Sequence, residues 1–333
     1  MRRVFLTAVF LCFSAALATC AWVYAYWTHP GPLTSPRNVV IAPGASVSGV
    51  AALLSREGVL RYPFAFRALI RIGDLSSQIK AGEYQFSPGA SPSEILRKLR
   101  SGDVLRRFVT VPEGWTSAQA TVWLDAMDAL EGEIPEGVKE GELLPETYDY
   151  VKGQTRASLI GRMRGAMAGA LAELWKARDP DLPFSTPDEA LTLASIVEKE
   201  TGRPEERRMV AAVFVNRLKK GMRLQSDPTT IYAVTRGQYV LDRPLSRKDL
   251  ANPDPYNTYV APGLPPGPIC NPGRPSIDAV LHPADIDAVF FVSDGTGGHS
   301  FSDNLKDHND NVKRLRAVER ERRDASPPDG SAQ

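Results

Sequence analysis

Two glutamates in the segment 198–201 are the residues of this chain best suited to acid–base chemistry. They end an apolar stretch, 188–201, which is predicted to be a helix because Gly202 and Pro204 follow it. At 100° per residue the apolar side chains form one face, with both carboxylates at its edges. A carboxyl group in the last helical turn meets the negative end of the helix dipole, which raises its pKa. Glu200 is nearer that end, so it is the better candidate for a general acid at neutral pH.

The same spacing also fits an amphipathic helix with solvated glutamates beside its buried face, which is a common arrangement. Nor does the spacing exclude Glu198 as the acid. These alternatives stay open on the helix pattern alone.

The segments that follow this helix are loops rich in proline and glycine. Such loops are rigid, cannot join a helix or sheet, and commonly frame a binding site. Tyrosine rings pack on the C–H faces of sugars, and amide groups bond to sugar hydroxyls. Tyr256, Asn257 and Tyr259 therefore form a candidate saccharide site, although such loops can also be purely structural.

Two histidines near the end of the chain, His299 and His308, could be taken with Asp303 for metal ligands. Their spacing fits no standard metal site, so a hydrogen-bonding role is expected instead. We predict no metal and no cofactor. Cys270 is the only cysteine outside the apolar N-terminus, which excludes a disulfide framework in the rest of the chain.

The N-terminus predicts a membrane anchor. Arg2 and Arg3 precede an uncharged run, 4–28, that exceeds the roughly 20 apolar residues needed to cross a bilayer. The positive charges favour a cytoplasmic N-terminus, and the aromatic residues of 22–27 are typical of an interfacial belt. A cleaved signal peptide is the alternative, but its apolar core is usually shorter. The rest of the chain is then expected in the periplasm.

The formal net charge of +1 over 333 residues does not indicate binding to nucleic acids.

The remaining chain predicts an α+β fold with two domains. Residues 29–37 form a proline-rich tether, 38–104 a small α/β module, 105–318 a larger α+β domain, and 319–333 a disordered tail. A β-type run, a proline-containing turn, a Ser or Thr cap and a helix recur three times, with the caps at Ser46, Ser91 and Thr116. The third helix is predicted to reach Leu130.

Several long motifs occur in an order that resembles the endolytic murein transglycosylase family, also called YceG-like. They are 193–201, 224–232, 256–259, 263–267 and 298–301. The resemblance covers nearly the whole chain. The module 38–104 in turn resembles a LysM-like domain, a type that holds glycans containing N-acetylglucosamine, and its alternative role is a spacer.

The resemblance implies that the protein cleaves the β-1,4 bond between N-acetylmuramic acid and N-acetylglucosamine in nascent peptidoglycan strands, without water. It implies Glu200 as the catalytic residue, penicillin-binding proteins as partners, and no cofactor. Substrate binding is predicted for Glu198, Gln225, Asp227, Tyr232, Tyr256, Asn257, Tyr259 and His299. Two rival hypotheses are a hydrolytic muramidase, with Asp227 or Glu198 as second carboxylate, and a non-catalytic scaffold that binds glycan.

Overall fold

The computed structural model describes residues 2–75 and 79–325. These residues form two compact units. The N-terminal unit contains the described residues up to Phe108 together with Asp149–Gln154, and the C-terminal unit contains Val109–Tyr148 and the described residues from Thr155 onward. Helices dominate both units, and the strands pair two by two as β1–β2, β3–β5, β4–β6 and β7–β8. The mixed helix and strand content agrees with the predicted α+β class.

The N-terminal unit begins with a long apolar helix and continues as a small β–α–α–β arrangement. Its strands β1 and β2 pair antiparallel, with Val39 opposite Tyr84. The side chains of Tyr84, Phe66 and Phe86 are fully buried between the sheet and the helices. Its elements are α1 (Arg2–Thr28), β1 (Arg37–Ile41), α2 (Val47–Arg56), α3 (Pro63–Ile72), β2 (Gly82–Phe86), α4 (Pro92–Ser101) and β3 (Arg106–Thr110), which continues into the C-terminal unit.

Helix α1 is long and apolar enough to cross a membrane, which is consistent with a single-pass anchor. The segment that follows it, 29–37, is not the free tether that its proline content predicts. The Gly31 amide donates to the Gly89 carbonyl at 3.1 Å, and the Gly89 amide donates to the Leu33 carbonyl at 2.8 Å. A Cβ on Gly31 would lie 2.4 Å from the Ala90 carbonyl oxygen, so only glycine fits there. Main-chain bonds therefore hold this segment against the unit.

The C-terminal unit is a cluster of helices with short strands at its edges. Its elements are α5 (Ser117–Asp125), β4 (Leu130–Glu131), β5 (Thr147–Val151), β6 (Gln154–Thr155), α6 (Arg156–Lys176), α7 (Pro187–Glu200), α8 (Arg207–Lys219), α9 (Asp227–Thr235), α10 (Arg247–Leu250), α11 (Arg274–Leu281), β7 (Phe290–Ser293), β8 (His299–Ser302) and α12 (Leu305–Ala325). The unit boundary falls within β5 and between the two residues of β6. Strands β7 and β8 form an antiparallel hairpin.

All three predicted helix caps are confirmed. The Ser46 hydroxyl accepts a hydrogen bond from the Gly49 amide, and Ser91 and Thr116 each form a capping box with the residue three positions later. These caps satisfy amide groups that the first helical turn leaves unpaired. Local sequence therefore defines where α2, α4 and α5 begin.

The predicted end of the third of these helices is wrong. Helix α5 stops at Asp125 and not at Leu130, which lies in β4. The Arg156 guanidinium donates to the carbonyls of Leu124 and Leu130 at 3.2 and 2.9 Å. A longer helix would use the Leu124 carbonyl internally, so this distant arginine favours the earlier stop.

The last helix also differs from the prediction. Helix α12 continues to Ala325, beyond the predicted start of a disordered tail at 319. The rest of that predicted tail, 326–333, lies outside the described residues.

Candidate active site

Helix α7 positions both candidate glutamates. It begins with a capping box in which the Thr186 amide donates to the Glu189 carboxylate at 3.0 Å, and with Pro187 in the first turn. Every residue of 190–197 is buried, so this part of the helix is surrounded by protein and is not half-exposed as its pattern predicts. The helix ends at Glu200 because Thr201 has extended backbone angles. Both glutamates therefore lie in the last turn of a buried helix.

Glu200 lies in a largely buried polar site, neither sealed in the core nor fully exposed. Its Oε1 accepts a hydrogen bond of 2.5 Å from the Ser226 hydroxyl. Burial is the largest cause of a raised pKa for this carboxyl group, and the nearby Asp227 charge raises it further. The Ser226 hydroxyl, His299 and Arg217 act in the opposite direction but do not cancel the rise. The site therefore favours a protonated Glu200, as a general acid requires.

The chain turns sharply before α9 to bring Ser226 to Glu200. Gln225 has a φ of 51°, a left-handed conformation that is uncommon for a residue other than glycine. Its amide donates to the Thr258 carbonyl at 3.2 Å, and the Ser226 amide donates to the Thr258 hydroxyl at 3.0 Å. The Ser226 hydroxyl does not cap α9 and is directed to Glu200 instead. The side chain of Gln225 is exposed.

Two further predicted residues lie beside this carboxyl group as a bonded pair. The Tyr259 hydroxyl donates to Asp227 Oδ1 at 2.6 Å. Burial, and then the bond to Asp227, raises the pKa of Tyr259, so the phenol keeps its proton and remains a donor. The structure thus brings Asp227 and Tyr259 to Glu200.

His299 is also close enough to Glu200 to influence its pKa. Its Nδ1 lies 2.7 Å from Glu206 Oε2, and its main-chain amide donates to Glu206 Oε1 at 2.9 Å. The Phe291 ring packs edge-on against the imidazole at 5.3 Å. Glu206 therefore fixes the orientation of the imidazole. His308, by contrast, stacks on Phe290 at 5.0 Å. No cluster of three potential metal ligands occurs within residues 2–75 and 79–325.

Glu198 has different neighbours, although it is only two residues from Glu200. Its Oε2 accepts the Gly273 amide at 2.9 Å, at the start of α11, and its Oε1 lies 3.9 Å from Arg207. The side chain is only 6% exposed. Its carboxylate is occupied in holding α11, so the predicted contact with a substrate does not fit the structure.

The prediction for Asn257 is likewise not supported by the geometry. This residue has no exposed surface. Its Nδ2 donates to the carbonyls of Asp249, Leu250 and Asn252, and its Oδ1 accepts from Thr230 and from the Tyr259 amide. Protein groups of α9, α10 and the loop use all its hydrogen-bonding capacity, so Asn257 supports Tyr259 and does not face a ligand.

Tyr232 and Tyr256 line a separate cavity of about 920 Å³ within the C-terminal unit. Their rings pack at 4.8 Å, and Pro265–Pro268 forms another part of the lining. Glu140 also lines the cavity, and burial raises its pKa to about 7. Glu200 is not part of the lining. Tyr232 follows Asp227 by five positions on α9, about 7.5 Å along the axis, and the two side chains leave the helix about 140° apart.

Sequence reasoning missed three residues that shape the site: Ser226, Arg217 and Glu206. Arg217 is buried and donates to the carbonyls of Val289 and Leu224 at 2.7 and 2.6 Å, which ties two chain segments together beside Glu200. Each of the three acts on a residue distant in sequence. Only Ser226 had a local signal in the sequence: it directly precedes the start of α9, a position where serine side chains commonly form hydrogen bonds.

The fold and site define a protein with one carboxyl group, its pKa raised by burial, at the end of a buried helix, bonded to the Ser226 hydroxyl and close to an imidazole. This is the arrangement of a general-acid enzyme. Residues 39–314 match the YceG-like family, and the chain belongs to that family.

Curated relatives extend over most of the chain. The endolytic murein transglycosylase of Bacillus subtilis is 33% identical over 303 residues, which cover 82% of this chain and 82% of that protein. The endolytic murein transglycosylase of Streptococcus pneumoniae serotype 2 is 27% identical and covers 83% of this chain but 57% of its own length. A crystal structure of a YceG-like protein from Listeria monocytogenes is 31% identical, with a TM-score of 0.49, and covers 83% of this chain and 99% of that one.

Proposed function

We propose that the protein is a membrane-anchored lytic transglycosylase that cuts glycan strands of peptidoglycan internally. It cleaves the β-1,4 bond between N-acetylmuramic acid and N-acetylglucosamine and leaves a 1,6-anhydro end. The observation that carries the proposal is the single largely buried carboxyl group of Glu200, held by Ser226 beside Asp227 and His299. The names of the curated relatives support the same activity.

In the first step, protonated Glu200 donates its proton to the glycosidic oxygen. The bond between that oxygen and C1 of the muramyl ring breaks, and positive charge develops at C1. Glu200 is left as a carboxylate. The Ser226 hydroxyl then stabilises the new anion, because a hydrogen bond to a charged acceptor is stronger than one to a neutral acceptor.

In the second step, the C6 hydroxyl of the same muramyl residue attacks C1. Its proton passes to the Glu200 carboxylate, which restores the acid for the next turnover. The nucleophile is part of the substrate, so the reaction is intramolecular and consumes no water. One glutamate can therefore do the work for which ordinary glycosidases use two carboxyl groups.

Asp227, Tyr259 and His299 are the proposed positioning residues around the reacting bond. Tyr259 holds Asp227 through its hydroxyl, and Glu206 holds His299, so both groups have defined orientations. The exposed amide of Gln225 is a further candidate to bond to sugar hydroxyls.

The cavity beside Tyr232 and Tyr256 is the proposed seat for saccharide units next to the reacting pair. An enzyme that cuts inside a strand must hold sugars beyond the cleaved bond, and the cavity is lined by Tyr232 of α9, the helix that also carries Asp227. Paired tyrosine rings offer apolar faces to pyranose C–H groups.

The N-terminal unit supplies the proposed location. Arg2 and Arg3 favour a cytoplasmic N-terminus, so α1 crosses the cytoplasmic membrane once and the remainder lies in the periplasm. The module 38–104 is proposed as a LysM-like glycan-binding or spacing element, and its compact β–α–α–β arrangement supports a separate module. Reporter fusions at each end of the chain test the orientation.

Partnership with penicillin-binding proteins is proposed from the family resemblance alone. Cross-linking in membranes, followed by mass spectrometry of the captured proteins, tests it. Recovery of the chain without any of these synthases contradicts this part of the proposal.

Digestion of purified glycan strands by the full-length protein tests the activity. A transglycosylase leaves ends that lack one water relative to the ends left by a muramidase, so mass spectrometry separates the two. Anhydro ends support the proposal. Hydrated ends support the hydrolytic alternative with Asp227 as second carboxylate, and undigested strands support the scaffold.

A further inference from the structure

The end of α1 carries aromatic side chains that contact the start of α3 within the N-terminal unit. Trp22 stacks on Tyr26 at 5.7 Å and on Phe64 at 6.4 Å. The Tyr26 hydroxyl donates to the Tyr62 carbonyl at 2.9 Å. The first turn of α3 therefore lies at the same level along α1 as Trp22.

Helix α3 exposes one continuous face that is both apolar and basic. One face packs Ala65, Phe66 and Ile70 into the core. The exposed residues recur at the spacing of a single helical face, and they are Phe64, Arg67, Ala68, Arg71 and Ile72, here called the α3 face.

The α3 face leaves two large apolar side chains in solvent. Phe64 is 62% exposed and Ile72 is 83% exposed. The two arginines between them make no ion pair within the described part of the chain, and α3 contains no acidic residue. Apolar side chains next to unpaired basic groups are typical of a helix that lies on an anionic lipid surface.

The length of α1 indicates how deep the α3 face lies relative to the bilayer. Its 27 residues span about 40 Å, whereas the hydrocarbon core of a bilayer is about 30 Å thick. With Arg2 and Arg3 at one surface, the residues from Trp22 onward reach the opposite interface, where tryptophan and tyrosine are enriched. Phe64 contacts Trp22, so it lies at the depth of that interface.

We propose that the α3 face docks on the anionic phospholipid surface of the leaflet from which the periplasmic part emerges. Phe64 and Ile72 enter the interface, and Arg67 and Arg71 meet lipid phosphates. This inference rests on the proposed single-pass anchor. It makes the N-terminal unit a membrane-seated base, because the segment 29–37 is bonded to that unit and does not act as a free tether.

Fluorescence quenching of the full-length protein in vesicles tests the docking. A polarity-sensitive probe is attached to single cysteines at 64, 72 or 40, with Cys12 and Cys20 replaced by serine. Val40→Cys is the matched control, since Val40 is an exposed apolar residue of the same unit. A variant that keeps Cys20, within α1, as its only exposed cysteine reports whether α1 is inserted in the bilayer. Cys270 is buried, and burial raises the pKa of its thiol well above the usual range, so it does not react.

Vesicles of phosphatidylcholine and phosphatidylglycerol carry nitroxide lipids as quenchers. We expect strong quenching at 20, and quenching at 64 and 72 several-fold greater than at 40. In pure phosphatidylcholine, or after Arg67→Gln with Arg71→Gln, quenching at 72 should fall while quenching at 20 stays unchanged. This pattern supports docking through both apolar and charged groups.

Two results overturn the inference in distinguishable ways. Quenching at 20 without excess quenching at 64 and 72 over 40 refutes the docking and leaves the anchor and the proposed activity intact. Absence of quenching at 20 refutes the anchor itself, and the docking with it.

Discussion

Removal of the Ser226 hydroxyl should move the pH dependence of the enzyme in a direction that the structure fixes. Ser226 is buried and donates to Glu200 Oε1 at 2.5 Å, which lowers the pKa of that carboxyl group against the effect of burial. A hydrogen bond to a charged acceptor contributes about 1.5 to 3 kcal/mol, and one to a neutral acceptor about 1 kcal/mol. The difference, about 0.5 to 2 kcal/mol, is lost in Ser226→Ala, so the pKa of Glu200 should rise further in this variant.

In the proposed mechanism protonated Glu200 is the active form, so a higher pKa of Glu200 extends activity to higher pH. We expect the alkaline limb of kcat/KM to shift to higher pH in Ser226→Ala. The assay is the rate of release of anhydro ends across a pH series. Ser276→Ala is the matched control, because Ser276 is also buried and its hydroxyl has no hydrogen-bond partner among the described residues. An unchanged limb, or a shift to lower pH, would show that the Ser226 hydroxyl does not lower the pKa of the catalytic acid.

Three other substitutions have defined outcomes. Tyr259→Phe removes the 2.6 Å bond to Asp227 and should lower kcat about tenfold, an effect of about 1.4 kcal/mol; an unchanged kcat argues against a positioning role. Arg217→Met leaves two main-chain carbonyls, including that of Leu224, without their donor and should reduce the free energy of unfolding by about 3 kcal/mol in urea titrations. Burial raises the pKa of Glu140 to about 7 in the folded protein, above its value in the unfolded chain. The protonated carboxyl group therefore stabilises the fold fully at pH values below the unfolded pKa, and this stabilisation is lost as pH rises through about 7. Glu140→Gln should therefore stabilise the protein by about 2 kcal/mol at pH 8, after allowance for solvent screening, with little effect at pH 4; equal effects at both pH values contradict this account.

Local signals in the sequence predicted the elements that depend on local bonds. The caps at Ser46, Ser91 and Thr116 are satisfied within three residues, so their types and spacing define the helix starts. The end of α7, and with it the position of Glu200, was predictable for the same reason, because Gly202 and Pro204 directly follow it.

Features that depend on distant partners were not predictable. Glu198 and Glu200 occupy equivalent positions on a helical projection, but the Glu198 carboxylate accepts a hydrogen bond from the Gly273 amide, seventy-five positions away in sequence. Asn257 has the side-chain amide of a sugar-binding residue, yet five hydrogen bonds to protein groups occupy it. The polar character of a residue indicates only that it needs partners, and the fold decides whether those are protein groups or ligands.

Proline content also misled the interpretation of residues 29–37. Proline and glycine exclude regular secondary structure, but they do not exclude packing. Gly31 approaches the Ala90 carbonyl closely, and this contact requires glycine for space and not for flexibility. Contacts with the distant segment around Gly89 and Ala90 fix the position of residues 29–37.

Comparison of Glu200→Gln with Glu198→Gln in the digestion of purified glycan strands tests whether Glu200 is the general acid. Both changes remove one carboxyl group from the same helix while keeping its shape, and glutamine at 198 can still accept the Gly273 amide. We expect Glu200→Gln to lower the release of anhydro ends by about a hundredfold or more, and Glu198→Gln to stay close to the unsubstituted protein. Near-normal release of anhydro ends by folded Glu200→Gln would contradict this role of Glu200.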